Sequence, residues 1–169
     1  MLAALCGLLA ACQRGPAPSP EISGELVVAT RNSPTTYYLD EKSQPAGFEY
    51  DLAARFASAH GWKLRLEVLP DLEAVLEAVR DGRVHLAAAG LTPTKQQARH
   101  LGFGPSYAEV RAWVVCREGV ISPKTLADLK GLRFEVVAGS SHVEHLQAAQ
   151  SRMSALRWHE VQTADTEHV

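Results

Sequence analysis

Glycine and threonine residues stand together where an apolar strand is predicted to end, a combination that could bind a polar ligand. The apolar run Val84–Ala89 predicts a buried strand ending at Gly90, and Thr92 and Thr94 supply hydroxyls where a helix is predicted to begin. Glycine lets a ligand approach the backbone, and the N–H groups of a first helical turn lack helical partners. Such a corner favours anionic or polar groups, but an ordinary threonine-capped turn has the same sequence.

Other chemically capable side chains have simpler structural explanations. His142 and His145 share a face of the predicted helix, with Glu144 between them, which could suggest a metal site. A third ligand with clear spacing on that face is missing. Polar surface residues are therefore the favoured interpretation, and no metal is predicted. Glu49 and Asp51 stand at a predicted helix start, where carboxylates are typical of capping and macrodipole stabilisation. No nucleophile–base pair is evident, so no catalytic residue and no cofactor are predicted.

Strands and helices that would position these residues alternate along the chain. The first half predicts strands at 26–30, 62–68 and 84–89, with helices at 50–60 and 72–79 between them. Leu52, Phe56 and Ala59 are expected on one face of the first helix, and Asp71 is expected to cap the second. The second half predicts strands at 112–116, 134–138 and 156–161, a short connector at 122–131 and a helix at 142–150. This order predicts an α/β fold with a parallel sheet.

The amino-terminal residues predict export and lipid anchoring. Residues 1–11 form an apolar run suited to a signal peptide, and Leu9-Ala10-Ala11-Cys12 resembles a bacterial lipobox in which Cys12 is lipidated. No Lys or Arg precedes the run, and a plain secretory signal is the alternative. Residues 12–23, with three prolines, predict a lipidated terminus and an extended tether. With Cys6 and Cys12 so assigned, Cys116 remains as a small core residue without a disulfide partner.

Composition excludes one class of partner. The chain has 169 residues, 46% of them hydrophobic and 21% charged, which is typical of a globular protein. The formal net charge of −2 gives no electrostatic case for binding nucleic acid.

Four ordered segments resemble bacterial type 2 solute-binding proteins, also described as solute-binding protein family 3. They are Gly47–Ala53, Ala87–Thr94, Gly104–Tyr107 and Ala127–Ser141. The resemblance implies a two-lobed α/β clamp for a small ligand, with lobe 1 at 24–108 and a partial, truncated lobe 2 at 109–169. Within that superfamily, Arg31–Tyr38 and Gly139–Leu146 are similar to the sensor domain of the membrane-bound lytic murein transglycosylase F family.

The resemblance also implies which residues contact a ligand. It places these contacts in the first-strand loop, at the Gly-x-Thr corner and at the start of the second-lobe helix. The residues at these three places are, in order, Arg31, Tyr37 and Tyr38; Gly90 and Thr92; and Ser140 and Ser141, which His142 follows directly. From its position alone, Arg31 could equally be solvated. Amino-acid binders usually carry an arginine three residues after the second threonine, whereas Gln97 stands there and cannot supply a bidentate clamp for a carboxylate.

Two functions remain open on the sequence. One is a module that senses peptidoglycan fragments, carried by a lytic-transglycosylase-like lipoprotein on the periplasmic side of the outer membrane. The full-length relative of this chain would be a peptidoglycan lytic transglycosylase. Its catalytic glutamate would lie in a second domain that is absent from this chain. The other is a free-standing amino-acid- or solute-binding lipoprotein of an ABC transporter. The expected partners are a small ligand resembling a muropeptide or amino acid, the membrane lipid and peptidoglycan.

Overall fold

A three-stranded parallel sheet with helices on both faces forms the first half of the molecule. The computed structural model describes residues 15–119 and 121–162. Its elements in this half are helix α1 (Pro20–Ser23), strands β1 (Glu25–Thr30), β2 (Tyr38–Leu39) and β3 (Pro45–Ala46), helix α2 (Phe48–Ala59), strand β4 (Lys63–Val68), helix α3 (Leu72–Arg80) and strand β5 (Leu86–Ala87). The strand order is β4-β1-β5, so the predicted parallel sheet is confirmed.

Strand β1 is central and is buried on both faces. Val27 and Ala29 pack with the buried face of α3, whereas Leu26 and Val28 pack with Ala53 of α2 and its neighbours. A strand covered on both sides reads as a continuous apolar run rather than an alternating one. The sequence of β1 therefore follows directly from its central position.

Helix α3 forms as its sequence predicts. The Asp71 carboxylate accepts a hydrogen bond of 2.8 Å from the Ala74 N–H, which confirms the predicted cap. Leu72 and Val75 are buried against Val27 and Ala29 of the sheet, and Leu76 is also buried.

Helix α2 packs on the sheet through small residues and not through its largest apolar ones. Its buried residues are Glu49, Ala53 and Ala57, whereas Leu52 and Phe56 are 39% and 46% exposed. The small alanines let the helix lie close to the sheet, and the inward face also carries the Glu49 carboxylate. Leu52, Phe56 and Ala59 share one face, as predicted, but it is the exposed face of the helix.

The second half of the chain has less regular structure. It contains 3-10 turns at Gln97–Arg99 and Leu126–Leu129, strand β6 (Glu135–Val137), helix α4 (Ser141–Gln150) and strand β7 (His159–Val161), with β6 and β7 paired in parallel. The connector, the helix and the last two strands agree with prediction.

Two predicted elements of this half differ from the structure. Residues 112–116 form no strand, because no partner among the described residues pairs with them. Only Leu86–Ala87 of the predicted strand at 84–89 pairs with β1, although Val84 and Ala89 are buried in the same core. Cys116, expected in the core, is half-buried.

The two halves touch through strand β6 and the loop that follows it. Val137 is buried in the core that contains Val27 and Leu72. A Cβ placed on Gly139 would lie 3.8 Å from the Glu73 nitrogen at the start of α3. Since α3 starts just after the carboxyl end of β4, the Gly139 loop lies at the edge of the sheet where the parallel strands end.

Candidate functional site

The glycine corner lies at the carboxyl end of β5, beside a buried loop that follows β1. Gly90 has a φ of +69°, a conformation that glycine adopts readily. Arg31 is only 6% exposed, and its Nε donates a hydrogen bond of 3.3 Å to the Ala89 carbonyl. Arg31 is therefore packed against the corner, and the alternative of a solvated charge was wrong. Thr36 is fully buried, and its hydroxyl donates to the Arg31 carbonyl at 2.7 Å.

The loop between Arg31 and Tyr37 also holds the start of helix α2. The Glu49 and Tyr50 N–H groups donate to the Thr35 and Thr36 carbonyls at 3.4 and 3.0 Å, which satisfies donors that a helix leaves free. Gly47 makes this approach possible, since a Cβ at that position would lie 2.3 Å from the Thr36 carbonyl oxygen. The predicted ligand residue Tyr37 lies in this loop, with its ring centroid 6.2 Å from that of Tyr50.

A buried carboxylate occupies the corner itself. Glu49 is 5% exposed, and its Oε2 accepts a hydrogen bond of 2.8 Å from the Gly90 N–H. Its Oε1 accepts a hydrogen bond from the Tyr107 hydroxyl. Glu49 stands in the first turn of α2, as the macrodipole interpretation requires, but its carboxylate does not cap that helix. The Gly90 N–H is thus already bonded to an anion of the protein.

Tyr107 connects this carboxylate to the segment that leaves the first lobe. The side chain is 56% exposed overall, and its ring lies 5.7 Å from that of Phe48. Loss of water around the hydroxyl, followed by the hydrogen bond and charge of Glu49, raises the pKa of the Tyr107 phenol well above its ordinary range. The phenol therefore stays a hydrogen-bond donor to Glu49.

Gln97 carries a polar atom that has no partner among the described residues. Thr94 is buried, and its hydroxyl accepts a hydrogen bond of 3.1 Å from the Gln97 N–H, which confirms that this threonine caps a turn. The turn is a single 3-10 turn and not the longer helix expected. The Gln97 Oε1 is buried without a hydrogen bond, and a group left in that condition is costly unless a ligand or water supplies the donor.

Ser140, at the start of the second-lobe helix, also carries a buried polar atom without a hydrogen-bond partner among the described residues. It precedes α4, but its side chain makes no capping hydrogen bond, and its Oγ is buried without a partner. Ser141 is half-buried and His142 is exposed.

The structure joins some of the predicted ligand residues and leaves others apart. Contacts along the loop link Arg31, Tyr37 and Gly90 in one cluster. The Gly139 loop brings Ser140 to the same sheet edge. Tyr38 is instead paired in the β2–β3 hairpin and 39% exposed. Thr92 is half-buried in the loop after Gly90 and His142 is exposed, and neither is among the residues that these contacts join. Cys12 lies outside the described residues.

Three further features of the described residues concern other kinds of site: a cavity, a metal centre and a membrane-spanning helix. A cavity of about 410 Å³ is lined by Ile121, Pro123 and their neighbours in the connector, none of which is a predicted ligand residue. Within residues 15–119 and 121–162, no three His, Cys, Asp or Glu side chains converge to hold a metal ion. In the same ranges no helix is long and apolar enough to cross a membrane.

Glu49, Thr36 and Tyr107 are parts of the site that the sequence did not assign. A glutamate in a first helical turn looks like a dipole partner, and only the fold shows that it faces inward. Tyr107 stands in one of the four segments of the resemblance, which was the available signal.

The sequence profile of the bacterial extracellular solute-binding proteins, family 3, matches residues 26–163. The chain belongs to this family. Solved structures agree on the fold, a type 2 periplasmic-binding-protein clamp. An ancestral arginine-binding protein bound to arginine has a TM-score of 0.69 and 26% identity, covering 83% of this chain and 62% of that one. An ancestral arginine-binding protein bound to glutamine gives a TM-score of 0.68 at 26% identity, covering 83% of this chain and 61% of that one.

Several curated relatives of this family-3 chain are named membrane-bound lytic murein transglycosylase F. The membrane-bound lytic murein transglycosylase F of Ectopseudomonas mendocina is 41% identical over 88% of this chain and 31% of its own length. That of Thiobacillus denitrificans is 38% identical over 89% of this chain and 32% of its own length. The chain thus spans about a third of the length of these relatives. Its predicted resemblance to their sensor domain is confirmed.

Proposed function

We propose that this chain is a ligand-sensing module for peptidoglycan fragments, carried by a lipoprotein of the lytic-murein-transglycosylase-F type. The relatives named as transglycosylases favour this function over transport by a free-standing binding protein. The full-length protein would then cleave peptidoglycan with residues outside this chain. It would be lipidated at Cys12 and anchored on the periplasmic side of the outer membrane.

The observation that carries the proposal is the polarity of the corner. The Gly90 N–H already binds the Glu49 carboxylate, and Gln97 replaces the arginine that would clamp a free α-carboxylate. The two buried atoms without a partner among the described residues, Gln97 Oε1 and Ser140 Oγ, include an amide oxygen that can only accept a hydrogen bond. The site therefore favours a ligand that presents N–H and O–H donors, as the amides and sugar hydroxyls of a muropeptide do.

Calorimetry of the chain with a purified muropeptide, and separately with free arginine and free glutamine, tests the proposal. We expect the muropeptide to bind more tightly than either amino acid. Gln97→Ala should weaken muropeptide binding roughly tenfold, which corresponds to about 1.4 kcal/mol, the scale of one hydrogen bond. Gln96→Ala, an exposed neighbour, is the matched control and should bind as the wild type does. Micromolar binding of a free amino acid with no binding of the muropeptide would refute the proposal.

A further inference from the structure

The segment before β1 is packed on the first lobe instead of trailing from it. The Ala17 N–H donates a hydrogen bond of 2.7 Å to the Gly82 carbonyl, and Ala17 packs against the core beneath α3. The Pro18 carbonyl lies 2.9 Å from Nε2 of His85, whose Nδ1 accepts from the Val27 N–H at 2.8 Å. With Nδ1 acting as an acceptor, Nε2 carries the proton and donates to Pro18. This part of the expected tether is fixed to the sheet.

The attachment lies at the sheet edge opposite the ligand corner. Gly82 and His85 come just before β5, at the edge where the parallel strands begin, whereas Gly90 and Arg31 follow the ends of β5 and β1. Strand β1 has six residues, which separates the two edges by roughly 20 Å.

The same edge exposes apolar and aromatic side chains. Ile22 of α1 is 83% exposed, and the Gly24 carbonyl just after it accepts a hydrogen bond of 2.8 Å from the Lys63 N–H. Trp62 precedes Lys63 and is half-buried against the core that contains Leu26, and its ring stacks on that of the exposed His60 at 4.7 Å. The Phe56 ring, 46% exposed, lies 4.5 Å from the His60 ring. We call Ile22, Phe56, His60 and Trp62 the anchor edge.

We propose that the anchor edge rests on the phospholipid bilayer that holds the lipid of Cys12, so that the ligand corner faces away from the membrane. The proposal rests on the lipidation of Cys12 in the proposed function. Four residues lie between Cys12 and Ala17, and the five steps from one to the other span at most about 18 Å when fully extended. Aromatic side chains with one polar side are well suited to the interface of a bilayer.

The lipidated protein, reconstituted in vesicles of phosphatidylethanolamine and phosphatidylglycerol, provides the test. A Cys116→Ser background receives one environment-sensitive fluorophore, either at Ile22→Cys on the anchor edge or at the exposed Gln96→Cys beside the ligand corner. A nitroxide on the lipid headgroup should quench the probe at position 22 several-fold more than the probe at position 96. Equal quenching, or stronger quenching at position 96, overturns the proposal.

Two phenylalanines on helix α2 supply matched variants. Phe56→Ser should reduce quenching at position 22, whereas Phe48→Ser, similarly exposed at the other end of the helix, should not. Equal loss from both variants, or loss from neither, removes this edge as the lipid contact. Flotation of the protein with the vesicles checks the anchor separately. If the protein does not float with the vesicles, Cys12 does not anchor it and the proposed orientation is refuted as well. If it floats but both probes are quenched equally, only the orientation is refuted. Ligand sensing is tested independently by the calorimetry described above.

Discussion

Glu49 ties three parts of the first lobe together through one carboxylate. Its partners, the Gly90 N–H and the Tyr107 hydroxyl, come from the strand corner and from the segment leading to the second lobe. Hydrogen bonds to a buried charged group contribute more to stability than neutral ones and leave an unsatisfied partner when broken. Glu49 is therefore both a determinant of the corner's polarity and a structural residue.

Removing this carboxylate should destabilise the fold. We expect Glu49→Ala to lower the free energy of unfolding by about 2 to 3 kcal/mol, measured by chemical denaturation. Glu49→Gln keeps the shape and one acceptor oxygen and should cost less. Asp51→Ala, an exposed acid in the same helical turn, should change stability little. A Glu49→Ala protein no less stable than Asp51→Ala would show that the two hydrogen bonds contribute nothing.

Tyr107 gives the molecule a contribution to stability that depends on alkaline pH. Because the folded state raises the pKa of this phenol, the folded chain keeps the proton after the unfolded chain has lost it, near pH 10. The contribution is complete below that pH and is lost as the pH rises above it. Tyr107→Phe should thus lose less stability between roughly pH 9 and 11 than the wild type, by denaturation at each pH. Tyr38→Phe serves as the control, and identical alkaline profiles for wild type and Tyr107→Phe would contradict the assignment.

At the scale of elements, the loop between β1 and α2 determines how helix α2 lies on the sheet. Carbonyl groups of Thr35 and Thr36 accept from the first N–H groups of the helix, and this contact turns Glu49 and the small alanines inward. Phe48 and Phe56 are left on the outer face. The side of a helix that is buried is decided here by a backbone contact and not by the largest apolar residues.

Gly47 is the position on which this arrangement depends. Its φ is +129°, and an added Cβ would lie 2.3 Å from the Thr36 backbone oxygen, so the loop would have to move. We expect Gly47→Ala to cost about 3 kcal/mol or more, since strain and collision add. Gly61→Ala, with a φ of +72° and open space around it, should cost about 1 to 2 kcal/mol. Equal thermal midpoints for the two variants would contradict the close-approach role of Gly47.

At the scale of the whole molecule, the two halves differ in how well they cover apolar surface. Val110, Trp113 and Val115 are 76%, 77% and 89% exposed in a segment without regular structure. The first lobe, by contrast, surrounds β1 on both faces. The exposed side chains identify residues 110–115 as a region that further polypeptide could cover.

A longer protein that carries the remaining length of the transglycosylase relatives should be more stable than this chain. We expect its second lobe to unfold at a higher temperature by calorimetry, because each newly buried large apolar side chain contributes about 1.5 to 3 kcal/mol. Trp113→Ser should reduce the difference in transition temperature between the longer protein and this chain. Ile22→Ser, at an exposed apolar residue outside this segment, should leave that difference unchanged. Equal transition temperatures for this chain and the longer protein would contradict the prediction.

Local sequence signals determined a large part of this fold. The parallel sheet is predicted without reference to distant residues. The signals are the apolar run of β1, the Asp71 cap with the 3.6-residue pattern of α3, and the glycines at which elements end. The order of four short segments also identified the family. These features depend on neighbours along the chain, and periodicity and capping report such neighbours directly.

Long-range contacts decided what the sequence could not. The inward face of α2 depends on where the Thr36 carbonyl lies, and the role of Glu49 depends on Gly90, 41 residues away. Residues 112–116 have strand periodicity but no strand partner among the described residues. The expected tether is fixed because His85 reaches Pro18 across the sheet edge. Each outcome follows from whether a hydrogen-bond or packing partner is present elsewhere along the chain, and no local pattern specifies such a partner.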